Sequence, residues 1–263
     1  DSSTCVGNGV YNVPFATTWN GIIPKGMIGY QNLSYYNQFN MTKAKQYYQS
    51  SAWYKAHPTT PITIAINLEA ADTVNNAAAQ AWATNLEALD PGAITISIAP
   101  ISFADEIANS VPWNDPMSIY FLGWLPDYPF PTDYTLPMLM PSSGAVGNVS
   151  AANGGTYPNA NNFNIPYFAA DANGSNQVAN MTNIRNWIID SISTNATNIN
   201  AVVSDSQKAQ MAAANLTVYV PAQQQNTYFT FRTWIHGMDR ETNPVLGGTD
   251  LFYNYLSKDT GTT

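Results

Sequence analysis

Two acids, Asp127 and Asp133, stand in one short aromatic and proline-rich stretch, GWLPDYPFPTDY, beginning at Gly123. Two carboxylates at that separation could do one of two things. They could divide acid and base work across a glycosidic bond. Alternatively, one could meet a ligand cation while the other shapes the loop. Trp124 and Tyr128 flank Asp127 and offer flat apolar walls that also carry hydrogen-bonding edges. No nucleophile–base–orienter set accompanies the acids, so binding is the expected role and no catalytic residue is assigned. His57 lies in a loop before Pro58, His236 stands beside Gly237, and the chain has one cysteine, Cys5. No Cys/His cluster of metal-ligand spacing exists, so neither a metal site nor a cofactor is expected.

The stretch is positioned by what precedes it. Met117–Leu122 is apolar and favours β-structure, and reads as a buried strand. Pro126, Pro129 and Pro131 cannot donate to a sheet ladder and restrict the residues before them. The strand must therefore end near Gly123 and release a loop, the place where α/β folds put ligands. Asp133 is expected to cap a helix over 134–140. Asp127 is expected either to contact a ligand or to brace the turn among the prolines, and Trp124 either to line a site or to fill the core.

Upstream, ITIAINL from Ile62 alternates with period two and reads as a strand. Asp72 can cap an Ala-rich helix over 73–89, closed by Asp90-Pro91-Gly92, and Ile94–Ala99 is a second strand. Strand, helix and strand with short links make a βαβ unit, which implies parallel pairing. Asn40 caps a helix beginning at Met41, and 102–110 is a short acidic helix. Residues 144–168, rich in Asn, Gly and Ala, are expected to form an exposed loop insertion. Helices are expected over 177–195 and 204–225, the first with Met181, Ile184, Trp187, Ile188 and Ile192 on one apolar face. Strands are expected over 226–234 and 251–256.

Composition narrows the function. The chain has 263 residues, enough for a sizeable core. Charged residues are 10%, against about 25% in ordinary soluble proteins. So few titratable groups suit an acidic exterior, and equally a glycosylated surface. A net charge of −8 with nine scattered basic residues excludes a phosphate-neutralising patch and hence nucleic acid. No apolar run is long enough to cross a membrane. Seven N-x-[ST] sequons occur, at Asn32, Asn40, Asn148, Asn173, Asn180, Asn195 and Asn215.

Five blocks, in order, resemble the extracellular solute-binding proteins of peptide-type ABC importers, family five. They are IIPKGMIGY, NMTKAKQYYQSSAWY, ITIAINL with its following helix, FLGWLPDYPFPTDYTLPML, and TYFTFRTWIHGMDRETNP. The resemblance implies an α/β, periplasmic-binding-protein-like (type II) lobe with a mixed β-sheet flanked by helices. Residues 1–263 would be the C-terminal lobe of a two-lobed protein, its first lobe and N-terminal anchor lying outside this sequence. It further implies a non-enzymatic protein, extracellular and cell-surface associated, that captures peptides for an ABC permease. Any tie to the membrane would run through that permease or the absent anchor. Trp124, Asp127 and Tyr128 would be ligand-binding, with Asp127 matching the aspartate that meets a peptide α-amine in relatives. Pro126 and Phe130 depart from the family pattern, and the 144–168 insertion is longer than usual. An oligosaccharide ligand therefore stays open, as does a non-transport cell-surface module.

Overall fold

The computed structural model describes residues 16–109, 117–140, 175–217 and 219–225, with four two-residue strands beyond them. The 144–168 insertion and the strands expected over 226–234 and 251–256 lie outside the described residues. The chain divides into two compact units. One comprises Asp1–Asn37, Leu125–Thr135 and Trp187–Thr263, and the other Gln38–Trp124 and Leu136–Asn186.

The second unit is organised by a parallel sheet. β2 (Ile62–Glu69) lies between β3 (Ile94–Ile101) and β4 (Ile119–Tyr120), giving the order β3-β2-β4 with parallel pairing throughout. β2 meets β3 in register from Ile62 opposite Ile94 to Glu69 opposite Ile101. Parallel neighbours need a crossover, and α3 (Thr73–Glu87) supplies it. Asp72 caps that helix: its carboxylate accepts from the backbone N–H of Asn75. The period-two pattern puts Ile66 and Leu68 on one face of β2, fully buried with Ala79 of α3. Trp82, Ile96, Ile98, Ile119 and Phe121 pack around them. The Trp82 and Phe121 rings lie 5.4 Å apart. Glu87, at the end of α3, accepts from the N–H of Ile96 at 2.9 Å, tying the helix back to β3.

Two expectations are corrected in this unit and at the loop that follows it, the third strand and the role of Asp133. The third strand shrinks from 117–122 to Ile119–Tyr120, because only Ile66 and Asn67 of β2 pair with it. The helix expected after Asn40 is present, capped by that residue, and a second short helix follows it. α1 (Met41–Ser50) stops at Ser51, which caps α2 (Ala52–Ala56) by accepting from the N–H of Tyr54. Asp133 is not a helix cap, since α5 (Thr132–Leu139) begins one residue before it. The short helix after β3, α4 (Phe103–Asn109), is where the sequence placed it.

In the first unit, β1 (Ala16–Thr18) pairs antiparallel with β5 (Gln223–Gln225). The unit also holds α7 (Ile199–Leu216) and, from Trp187 on, the end of α6 (Ser175–Ile192), whose earlier part falls in the other unit. The expected helix over 204–225 is therefore shifted toward the N-terminus. Asn198 caps it earlier, by accepting from the N–H of Ala201. Thr217 ends it in the left-handed region, with φ 56°. Beyond lies Thr217-Val218-Tyr219-Val220-Pro221, β-branched and proline-stopped, which cannot prolong a helix. Val202, Ala209 and Ala213 give α7 its buried face, and Ile188 is buried on the part of α6 that falls in this unit.

Gln210, fully buried on α7, links that helix to the chain around Ile23 and Gly29. Its Oε1 accepts from Ile23 N–H, and its Nε2 donates to the carbonyls of Gly29 and Ser206. One side chain thus replaces water for two loop backbone groups that burial would otherwise strand. Gly29 itself is required. Its φ is +84°, and a Cβ would sit 3.0 Å from Pro131 Cγ.

Candidate functional site

The loop from Leu125 to Thr135 is short, proline-stiffened and internally tied. Pro126 and Pro131 are buried, while Asp127, Tyr128 and Pro129 are exposed. The tie is Asp133, only 6% exposed. Its Oδ2 accepts from the backbone N–H groups of Asp127 and Tyr128. Carbonyls of the loop close the turn: Tyr128 accepts from Phe130 N–H, and Phe130 accepts from Asp133 N–H. Burial pushes the Asp133 carboxyl up from its ordinary range, and the two backbone donors pull the other way. Below the loop, Tyr134 is buried and packs edge-on to Trp19 with ring centroids 6.5 Å apart. The Tyr128 hydroxyl lies 3.4 Å from Thr132 Oγ1.

This arrangement separates the roles of the two acids. Asp133 is committed to the backbone, so it is the brace that sequence reasoning assigned alternatively to Asp127. Asp127 is left facing water, with no hydrogen bond or ion pair to its carboxylate among the described residues. An acid/base pair of the glycosidase kind would need both carboxyls free to exchange protons with substrate. One of these is occupied by two N–H donors. Exposed apolar side chains flank Asp127 on the loop, Leu125 at 75% and Tyr128 at 44%. Of the three residues expected to bind ligand, Asp127 and Tyr128 fall together in this unit. Trp124 is partly buried and belongs to the other unit.

A second group of acids escaped sequence reasoning. On α4 the usual pattern is inverted, with Phe103 and Ile107 exposed and Glu106 buried to 1% exposure. Glu106 Oε1 has no hydrogen-bond partner among the described residues. Its carboxyl is pushed up to about 7, chiefly by burial, then by the charges of Glu69 and Asp72. Burial also pushes the Tyr120 hydroxyl up to about 12, with Glu106 adding to it. Glu69 and Tyr120 close β2 and β4, so these groups gather at the carboxyl ends of the parallel strands. The helical phase of FADEIAN gave no signal of this, since an acid opposite the apolar residues of a helix ordinarily faces water. Among the described residues no group of His, Cys, Asp or Glu could hold a metal ion. No helix of the described residues is long and apolar enough to cross a membrane.

No protein-family model and no curated protein matches this chain. Solved structures do match it. HbpA2 from Haemophilus parasuis superposes with a TM-score of 0.62, over 92% of this chain and 40% of that one, at 12% identity. The fold is the type II periplasmic-binding-protein-like fold. A peptide-binding protein of a peptide ABC transporter matches with a TM-score of 0.52, covering 80% of each chain at 15% identity. Haemophilus influenzae OppA in complex with the peptide RPPGFSPFR matches with a TM-score of 0.52 at 13% identity. That match covers 92% of this chain and 40% of OppA. The chain thus spans about 40% of the length of HbpA2 and OppA. At such identities the likeness carries the periplasmic-binding-protein-like α/β architecture, with helices against sheets, and not a ligand.

Proposed function

We propose that this chain captures peptides outside the cell as part of the substrate-binding component of an ABC importer, with no chemistry of its own. The observation that carries the reading is the Leu125–Thr135 loop, where a buried aspartate fixes the backbone so that a second, unpartnered one is presented to solvent. The fold supports it, since proteins of this architecture include one described as peptide-binding and one bound to RPPGFSPFR.

In water, an exposed carboxylate gains at most about 1 kcal/mol from an ammonium group. If a ligand and a closing cleft exclude that water, the same contact becomes a charge-assisted hydrogen bond worth about 1.5–3 kcal/mol. A carboxylate that must be oriented at the moment of binding would lose part of this to side-chain and loop ordering. Asp133 has already met that cost for the backbone of Asp127. Tyr128 would supply an apolar wall next to the amine, with Trp124 as a second wall on sequence grounds. The partner implied is the importer's permease, and the location is extracellular and cell-surface associated.

Calorimetry on the protein as its cells produce it tests the reading. The probes are a pool of short peptides with free N-termini and a pool of oligosaccharides. Saturable heat with the peptides and none with the sugars is expected. Binding of the sugars alone would reassign the loop to carbohydrate recognition, and heat from neither would leave the chain outside both classes.

A further inference from the structure

The sequons are unused by the peptide-capture reading, and the structure sorts them. Side chains are described for Asn32, Asn40, Asn195 and Asn215. Asn195 is partly buried, and its Nδ2 donates to Asp205 at 2.7 Å. Asp205 in turn pairs with Lys208 at 3.0 Å. A sugar on that nitrogen would crowd a charge-assisted contact that holds the turn before α7. Asn215 sits in the last turn of α7, where its Oδ1 accepts from the Tyr36 hydroxyl. The hydroxyl its sequon needs, on Thr217, is turned to the Ala214 carbonyl. Asn40 is exposed but serves as the cap of α1, accepting from Lys43 N–H at 2.9 Å, and its Thr42 is already helical.

Asn32 differs from Asn195 in that its amide nitrogen is not engaged among the described residues, and from Asn40 and Asn215 in that it neither caps nor ends an α-helix. It is exposed in irregular chain just before the 3-10 turn Ser34–Asn37. Its Oδ1 accepts from the N–H of Ser34 at 3.1 Å, the residue that carries its own sequon hydroxyl. A backbone N–H can bond only the oxygen of the amide, so Nδ2 is the free end, and no hydrogen bond to it exists among the described residues. Between the two, Leu33 is buried, and its N–H donates to the Asn20 carbonyl at 2.6 Å. The backbone is therefore anchored while the acceptor amide stays in water. A glycan here would break no hydrogen bond among the described residues.

We infer that Asn32 is an acceptor site for an Asn-linked glycan. The donor class is a lipid-linked glycosyl phosphate, supplied by a transferase of the cell exterior. Asn32 Nδ2 attacks the anomeric carbon, and the carbon–nitrogen bond forms as the carbon–oxygen bond to phosphate breaks. The phosphate leaves on its lipid carrier with the bonding pair, and one amide proton passes to a base of the transferase. Nothing is oxidised or reduced. The inference shares only the exterior location with the importer reading, and would stand if the ligand were not a peptide.

Glycopeptide mass spectrometry on the protein purified from the cells that make it naturally tests this. The peptide holding Asn32 should be heavier by at least one sugar, while those holding Asn195 and Asn215 keep their unmodified masses. Ser34→Ala deletes the sequon hydroxyl and retains the Ser34 N–H contact. It should abolish the added mass and leave the melting temperature of the deglycosylated protein unchanged. An Asn32 peptide found only at its unmodified mass overturns the inference. So does a glycan that persists in Ser34→Ala, or occupancy of Asn195 with Asn32 bare.

Discussion

Replacing Glu106 by Gln should make the protein more stable in mild alkali and indifferent in acid. The Glu106 side chain is 1% exposed, and its Oε1 lacks a hydrogen-bond partner among the described residues. Burial leads, and Glu69 and Asp72 add, in lifting its carboxyl from an ordinary 4.5 to about 7. At about 1.4 kcal/mol for each pKa unit, the folded state prefers the protonated acid by about 3 kcal/mol. The sign follows from proton counting. Between pH ~4.5 and ~7 the folded chain holds a proton that the unfolded chain has released, so stability falls as pH rises and then levels off. Gln keeps the shape and has no charge to bury. Urea unfolding at pH 4.5, 6 and 8 would give the parent-minus-variant difference at each pH. Asp133 is also pushed up, but it titrates alike in both proteins and cancels from that difference. The expected result is near equality at pH 4.5 and a variant more stable by up to about 3 kcal/mol at pH 8. Parallel pH profiles, or a parent that gains on the variant as pH rises, would refute the argument that this acid is buried against its charge.

Gln210→Leu should cost about 2–6 kcal/mol, because the Ile23 N–H and the Gly29 carbonyl are each left buried and unpaired at about 1–3 kcal/mol apiece. Urea unfolding followed by tryptophan fluorescence checks it, and a loss below about 1 kcal/mol would mean that water replaces the side chain. Asp133→Ala should release the Asp127 and Tyr128 N–H groups and weaken peptide binding severalfold while Asp127 is intact. Unchanged affinity in calorimetry would show that the brace is irrelevant to the site. Peptides and glycosides incubated with the protein should be recovered intact by mass spectrometry, and turnover lost in Asp127→Asn would restore an enzymatic reading.

What the sequence disclosed was mostly local. β2 and α3 were legible because Ile62–Leu68 alternates strictly and Asp72 sits where a cap must, so propensity, pattern and capping agree. The loop after Gly123 was legible as a loop because three prolines leave no alternative. The division of labour between Asp127 and Asp133 was not. Both acids suit a turn, and which one accepts the backbone donors depends on how Pro131 and Thr132 set the helix start. The early stop of α7 was missed because Ala, Gln and Leu around 209–216 favour helix strongly, and β5 owes its strand to pairing with Ala16–Thr18 at the far end of the chain. Gln210 was invisible for the same reason, since its partners Ile23 and Gly29 are distant in sequence. Glu106 was not legible, because the phase of FADEIAN would turn Phe103 and Ile107 to the sheet, and the structure turns Glu106 there instead.

The account stands or falls on Asp127 meeting a peptide amine. The decisive measurement is the dissociation constant of one bound peptide, free and N-acetylated, for the parent and for Asp127→Asn. If the contact exists, the substitution weakens the free peptide by about 1.5–3 kcal/mol, the range for a hydrogen bond to a charged group. Acetylation should cost the parent a similar amount and the variant little more, because both changes remove the same contact. Additive losses, or an Asp127→Asn variant that binds the free peptide as tightly as the parent, would contradict the account.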